Sequence, residues 1–275
     1  MKMSVKNHLA CTAYSLVALL FVAGHAPAAA ETSGAPLVRD DFSAVHNWHP
    51  GAGEWTVREG RLIQEDPRDP LARADRRVPQ DEPYELEFSI RYVSGGLGEQ
   101  PLEEAPELHA GFGIHLGVDA PARGRRAWGS GESYLLWMNL DTREQTRLTR
   151  PEHYGLRAQL YQSTTNSVMD LARDPLLARN PELSNFLVDD FVSLDIVEAL
   201  KPWGVNLTME DLAILLEEDL RINIQVDPRS GSIGILDPTA PVRFYLQANP
   251  EILRGTYVSL RTNKMAASIP YFQVR

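Results

Sequence analysis

Arg91, His115, Trp137, Asn139, Gln159, Tyr161, Asn223 and Gln225 each alternate with apolar residues along short segments of the chain. These side chains suit polar, ring-shaped ligands. Aromatic rings stack on C–H faces, while planar amides, imidazoles and guanidiniums hydrogen-bond to hydroxyls. Trp137 and Tyr161 provide the platform in this reading, and the others provide the polar contacts. Trp128, in the segment Arg126-Ala127-Trp128-Gly129-Ser130-Gly131, adds a rim aromatic, because exposed aromatics on Gly-rich loops tend to serve binding. One acid–base set can also be assembled, from Glu87, Arg91 and His115. A structural ion pair across a sheet would use the same Glu87 and Arg91.

The elements that must position these residues are strands. In Tyr84-Glu85-Leu86-Glu87-Phe88-Ser89-Ile90-Arg91-Tyr92 the even positions are apolar or aromatic and the odd ones polar. The same period sets Phe112, Ile114 and Leu116 against His115, and Tyr134, Leu136, Met138 and Leu140 against Trp137 and Asn139. It also sets Ile222, Ile224 and Val226 against Asn223 and Gln225. Successive strand side chains point to opposite faces, so each run has a core side and a second side. The central expectation is that several second sides share one concave binding face. Further strands are expected at 55–58, 61–64, 156–163, 221–227, 232–236, 242–247 and 257–262. Glu59-Gly60 is a two-residue hairpin turn in which Gly60 supplies positive φ, and Pro228-Arg229-Ser230-Gly231 is a second turn. Trp48 and Trp55 are assigned to the core.

One stretch departs from this period. From about 166 to 219 the apolar spacing becomes helical, and the segment 180–219 reads as a helical insertion. Ser184 caps a first helix carrying Phe186 through Leu200, ended by Pro202 and Gly204. Thr208 with Asp211 forms a capping-box-like start for a second, with Leu207 and Leu212 as its staple. The insertion would cover one end of a sandwich, act as a lid, or dock a protein partner.

The first 30 residues have the form of an export signal: Lys2 and Lys6, an apolar run from Tyr14 to Ala23, and a small-residue cleavage site ending at Ala30. The run is shorter than the ~18 residues of a membrane span, so no transmembrane segment is expected after cleavage. A linker at 31–38 precedes one domain over 39–275. The predicted localisation is periplasmic or extracellular. Cys11 is the one cysteine, so the mature chain holds no disulfide. Removing Lys2 and Lys6 leaves 25 basic against 37 acidic side chains, a formal net charge of −12, which argues against nucleic acid and anionic membranes. The basic islands Arg73/Arg76/Arg77 and Arg123/Arg125/Arg126 read as solvated loop charge or as contacts to an acidic glycan or phosphate.

Cofactors are not expected. His46 with His49, and His109 with His115, lack a third zinc ligand at suitable spacing. Asp40 and Asp41 suggest at most a structural calcium site, with no Asp-rich loop beside them. No nucleophile-elbow motif or Gly-rich phosphate loop occurs.

The ends of the chain carry a resemblance. Asp40-Asp41-Phe42-Ser43, Trp48 and the run from Gly53 to Gln64 resemble the opening of concanavalin A-like (laminin G-like) jelly-roll domains. Among these the chain is similar to bacterial exported 3-keto-disaccharide hydrolase-type domains. Gly255 to Asn263 and Ser268 to Val274 resemble the fold's closing strands. The resemblance implies an all-β, two-sheet sandwich whose first and last strands share a sheet, and a concave face that holds carbohydrate in many relatives. The Glu-x-Asp-x-x-Glu strand of the superfamily's glycosidases is absent; Glu217-Glu218-Asp219 is followed by Leu220, Arg221 and Ile222. The expectation is therefore a non-catalytic binder of a glycan or sugar-derived ligand. A carbohydrate-active hydrolase or lyase and an envelope interaction module docking through the insertion are the alternatives.

Overall fold

The structure is a computed structural model and describes residues 36–43, 47–96, 109–121, 128–129, 131–173, 191–208, 211, 217–236 and 243–275. In chain order the strands begin with β1 (Val38–Asp40), β2 (Trp48–Ala52), β3 (Trp55–Arg58), β4 (Arg61–Gln64), β5 (Ala72–Arg77) and β6 (Tyr84–Gly95). Then come β7 (His109–Val118), β8 (Ser133–Asp141), β9 (Gly155–Thr165), β10 (Val168–Leu171), β11 (Ser193–Asp195) and β12 (Leu220–Asp227). The chain closes with β13 (Ser232–Leu236), β14 (Arg243–Gln247), β15 (Tyr257–Asn263), β16 (Met265–Ile269) and β17 (Phe272–Val274). Two short helices, α1 (Glu144–Thr149) and α2 (Ile196–Leu200), lie between strands.

The strands form two antiparallel sheets. A nine-stranded sheet runs β14-β13-β12-β6-β16-β4-β3, with β17 pairing β6 and β1 pairing β17. An eight-stranded sheet runs β10-β9-β8-β7-β15-β5-β2, with β11 on β9. First and last strands meet as expected, Val38 opposite Val274 and Asp40 opposite Phe272. The Trp55–Arg58 and Arg61–Gln64 hairpin is also present, with Glu59 and Gly60 both at positive φ (53° and 69°).

Alternation builds the core between the sheets. Leu86, Phe88, Ile90, Ile224, Val226, Phe272 and Val274 enter from the nine-stranded sheet. Phe112, Ile114, Leu116, Tyr134, Leu136, Leu160, Val258 and Leu260 enter from the other. Burying a Phe or Leu side chain contributes about 1.5–3 kcal/mol, which fixes the register, because a one-residue slip would turn every one of them outward. Trp48 is buried in this core and Trp55 packs against it. The chain crosses between sheets after β15, with Lys264 at φ 52°.

The helical reading of 166–219 is corrected among the described residues. Residues 168–171 and 193–195 are strands, and the first expected helix is helical only at Ile196–Leu200. Its N-cap is Asp195, whose carboxylate accepts from the Glu198 N–H; Ser184 lies outside the described residues. Ser193-Leu194-Asp195 pairs with β9 because Leu194 packs on Ala158 and Ala199, while the Ser193 hydroxyl bonds the Glu152 carbonyl. The stop holds: Lys201–Trp203 is a 3-10 turn and Gly204 is left-handed. The Thr208–Asp211 box forms, with Thr208 N–H and Oγ donating to Asp211 Oδ2 at 2.9 and 2.7 Å. Leu212 and most of the second helix fall outside the described residues.

Candidate functional site

The sequence-predicted residues divide between two outward faces. His115 on β7, Trp137 and Asn139 on β8, and Gln159 and Tyr161 on β9 point outward from the eight-stranded sheet, where Trp128 also lies. Arg91 on β6, and Asn223 and Gln225 on β12, belong to the nine-stranded sheet. The single shared face is therefore corrected. The acid–base set is corrected with it, because Glu87 and Arg91 face away from His115 across two sheets stacked about 10 Å apart. Glu87 is occupied at home: Arg221 pairs with it at 2.7 Å, Tyr271 donates to it, and Gln273 donates at 3.2 Å. Burial raises its pKa, but these partners outweigh that and hold it below the usual carboxylate value. Arg91 bonds Asp219 at 2.9 Å, beside Arg61.

The outward face of the eight-stranded sheet is polar and mostly buried. Trp137 is 5% exposed and lies across β7, where two glycines make room for it. A Cβ on Gly111 would stand 2.5 Å from Trp137 Cζ2, and one on Gly113 would stand 2.9 Å from Cε3. Trp128 is not a rim aromatic but is buried at 8% exposure. Its backbone N–H donates to the Asn166 carbonyl, its ring packs with Leu135 and Trp137, and Arg261 on β15 lies 4.6 Å over that ring. That cation–π contact anchors the loop from within.

A hydrogen-bonded chain crosses the same face. Asp75 on β5 pairs with Arg73 at 3.1 Å and accepts from Ser259 at 2.6 Å. Arg261 Nε donates to His115 Nδ1 at 3.3 Å, and His115 Nε2 lies 2.6 Å from Ser133 Oγ. Arginine only donates, so Nδ1 is the acceptor and the imidazole proton sits on Nε2, directed at Ser133. Ser133 therefore cannot pass its proton to His115, and this pair is not an activated nucleophile. Burial and the charges of Arg261 and Arg73 hold His115 neutral, well below the usual imidazole pKa. Burial brings Arg261 itself down to about 9. Arg73, expected on a loop, is thus a buried strand residue, while Arg77 is exposed; Arg123, Arg125 and Arg126 lie outside the described residues.

The amides of β8 and β9 hold a turn instead of standing open. Asn139 Nδ2 donates to the His153 carbonyl at 2.8 Å. Gln159 Nε2 donates to the Glu152 carbonyl at 2.9 Å and to Ser193 Oγ at 3.1 Å. They fix the 3-10 turn Pro151–His153 against the sheet. Its His153 stacks beside Tyr161, ring centroids 6.2 Å apart, and His153 Nδ1 lies 3.1 Å from the Tyr161 hydroxyl. That hydroxyl donates to Gln159 Oε1 at 3.1 Å. His153, Tyr161 and Met169 are half-buried, so this corner is the open end of the face.

Asp75, His153, Ser259 and Arg261 were not singled out from the sequence, and Arg73 was singled out only as one of a basic island. Period two would have found Ser259 and Arg261, which alternate with Val258 and Leu260. Ala72-Arg73-Ala74-Asp75 alternates equally, but small alanines hide the apolar side. Asp40 and Asp41 make local loop contacts to Phe42 and Ser43. Among the described residues, no three His, Cys, Asp or Glu side chains gather as a metal site, and no helix is long and apolar enough to cross a membrane. His49 lies on β2, His109 and His115 both lie on β7, and His46 is outside the described residues.

Two antiparallel sheets with paired first and last strands make an all-β sandwich of jelly-roll type. The chain matches no protein-family model and no curated protein by sequence. Solved structures of similar fold include a Bacillus subtilis protein of unknown function with a galectin-like fold. It is 12% identical, with 88% of this chain and 96% of that one covered at a TM-score of 0.48. A legume lectin-like domain from Entamoeba histolytica is 10% identical, covering 83% and 89% at a TM-score of 0.43. A Bauhinia forficata lectin in complex with GalNAc is 10% identical, covering 85% and 94% at a TM-score of 0.41. At these identities the likeness is one of fold alone.

Proposed function

We propose that this chain is an exported, non-catalytic domain that binds a sugar-derived ligand on the outward face of its eight-stranded sheet. The observation that carries the reading is the half-open Tyr161–His153 corner, backed by Gln159 and by Trp137 on its glycine bed. A pyranose stacked at this corner would meet polar groups that their neighbours already orient, so little ordering is left to do on binding. Export rests on the form of residues 1–30.

The test is calorimetry of the full mature chain against a panel of soluble oligosaccharides. At least one should bind, and Tyr161→Ala should weaken it tenfold or more. A panel without heat, or an unaffected variant, would overturn the reading.

A second reading, a carbohydrate-active hydrolase or lyase, is favoured by one contact. Burial raises Tyr161 and lowers His153, so at neutral pH the phenol keeps its proton while the imidazole is neutral and able to take one. Tyr161→Phe separates the two. It keeps the ring, so a binder retains affinity, whereas an enzyme loses its release of new reducing ends.

A further inference from the structure

The nine-stranded sheet carries a second polar face, and one end of it is open. In register across the strands stand Tyr245 on β14, Gly234 on β13, Gln225 on β12 and Glu85 on β6. Their chain neighbours Ile233, Leu246, Ile224, Val226, Tyr84 and Leu86 are buried in the core, so this row points outward. Tyr245 is 42% exposed. Its ring is held against the sheet: a Cβ on Gly234 would lie 3.1 Å from Tyr245 Cε1 and 3.4 Å from Cδ1, beside the Gln225 stem at 3.8 Å. The missing side chain at Gly234 lets the ring settle there instead of standing into solvent.

Beside this ring the polar groups are set for hydroxyls. Asn223 Nδ2 donates to Glu85 Oε1 at 2.6 Å, which fixes the amide and turns its oxygen the other way. That Oδ1 is buried and has no hydrogen-bond partner among the described residues, while Asn223 as a whole is 6% exposed. An oxygen so enclosed is out of a ligand's reach, so Asn223 serves the patch by orienting Glu85. Glu85 gives the patch a carboxylate acceptor and disfavours an anionic ligand.

We propose that Tyr245, Gln225, Asn223 and Glu85 form a second binding site for a neutral pyranose, separate from the eight-stranded face. The ring stacks on Tyr245, and its hydroxyls donate to Glu85, which Asn223 orients, and exchange bonds with the Gln225 amide. Uronates and sulfated sugars are disfavoured by Glu85.

The test is solution NMR of the full mature chain with labelled Tyr rings and Trp indoles. The probes are neutral gluco-, galacto- and xylo-oligosaccharides, with an oligogalacturonate as the acidic control. At least one neutral sugar should shift the Tyr245 ring signals, and Tyr245→Ala should weaken that binding at least tenfold. Tyr245 is exposed, so the variant should fold, and an unchanged urea midpoint would verify this. Gln225→Ala should weaken the same binding severalfold. The inference is overturned if no neutral sugar moves Tyr245, if the acidic probe binds equally, or if Tyr245→Ala binds as the unaltered chain does. Trp128 and Trp137 signals report the other face, so failure of either site is read independently.

Discussion

Gly111→Ala should change sign with the residue above it. Gly111 is not in the left-handed region, so an alanine there meets no backbone penalty. Its Cβ would nevertheless stand 2.5 Å from Cζ2 and 2.7 Å from Cε2 and Nε1 of Trp137, closer than carbon contacts allow. The indole is 5% exposed and must be driven off its seat, an overpacking cost of about 1–3 kcal/mol. Trp137→Ala alone should cost about 3–5 kcal/mol through the cavity it leaves. In that background the new methyl enters vacated space. Gly111→Ala should then be neutral or stabilising by about 0.4–1 kcal/mol, because alanine loses less backbone entropy on folding. The double-mutant cycle in urea should therefore show a coupling on the order of 2–3 kcal/mol. Additive single effects would mean that the indole does not rest on β7, and the account of this face would fail.

Further outcomes follow from the same contacts. Asp75→Ala should destabilise by about 3–5 kcal/mol in urea titrations, since it leaves Arg73 charged in a buried site without its carboxylate; a change under 1 kcal/mol would show that the pair is not structural. His109, His115 and His153 all have pKa values lowered in the fold, His109 to about 4. The unfolded chain thus takes up protons first, so stability should be full above about pH 6.5 and fall as pH drops, by up to ~1.4 kcal/mol per pH unit for each histidine. His115→Gln should flatten this slope between pH 6.5 and 5, and an unchanged slope would contradict its assignment as buried and neutral. Asp219→Asn, at a half-exposed cluster with Arg61 and Arg91, should cost no more than about 1 kcal/mol. Glu59→Asn should stabilise the β3–β4 hairpin by about 0.5–1 kcal/mol, because Glu59 sits at φ 53° where asparagine is better tolerated; a lowered urea midpoint would count against it.

The parts of the fold legible in the sequence were those governed by a strict local period. The meeting of the two chain ends was implied by the resemblance, whereas the hairpin at 55–64 and the strands at 84–92 and 232–236 depend on alternation and turn chemistry. Strand order does not. Nothing between Ile90 and Asn223 reveals that β6 and β12 are neighbours while β7 lies in the other sheet, so the polar sides of both sheets were read as one surface. The helical segment misled for a related reason. Leu194, Ile196, Val197 and Leu200 satisfy a helical stripe, but Ser193 and Leu194 are claimed by the edge of β9 before the helix begins. Trp128 was placed on a rim by its Gly-rich loop, yet Arg261, far along the chain, draws the ring inward. Such long-range contacts leave no trace in a local window.

The central claim is that a sugar is held at the outward face of the eight-stranded sheet, and the Trp indole N–H signals of residues 31–275 test it most directly. Titration with the best oligosaccharide ligand should shift the Trp137 indole resonance, which lies behind Tyr161, and Tyr161→Ala should abolish the shift. Saturating ligand that leaves the Trp128 and Trp137 resonances unmoved would place the binding elsewhere and contradict the account.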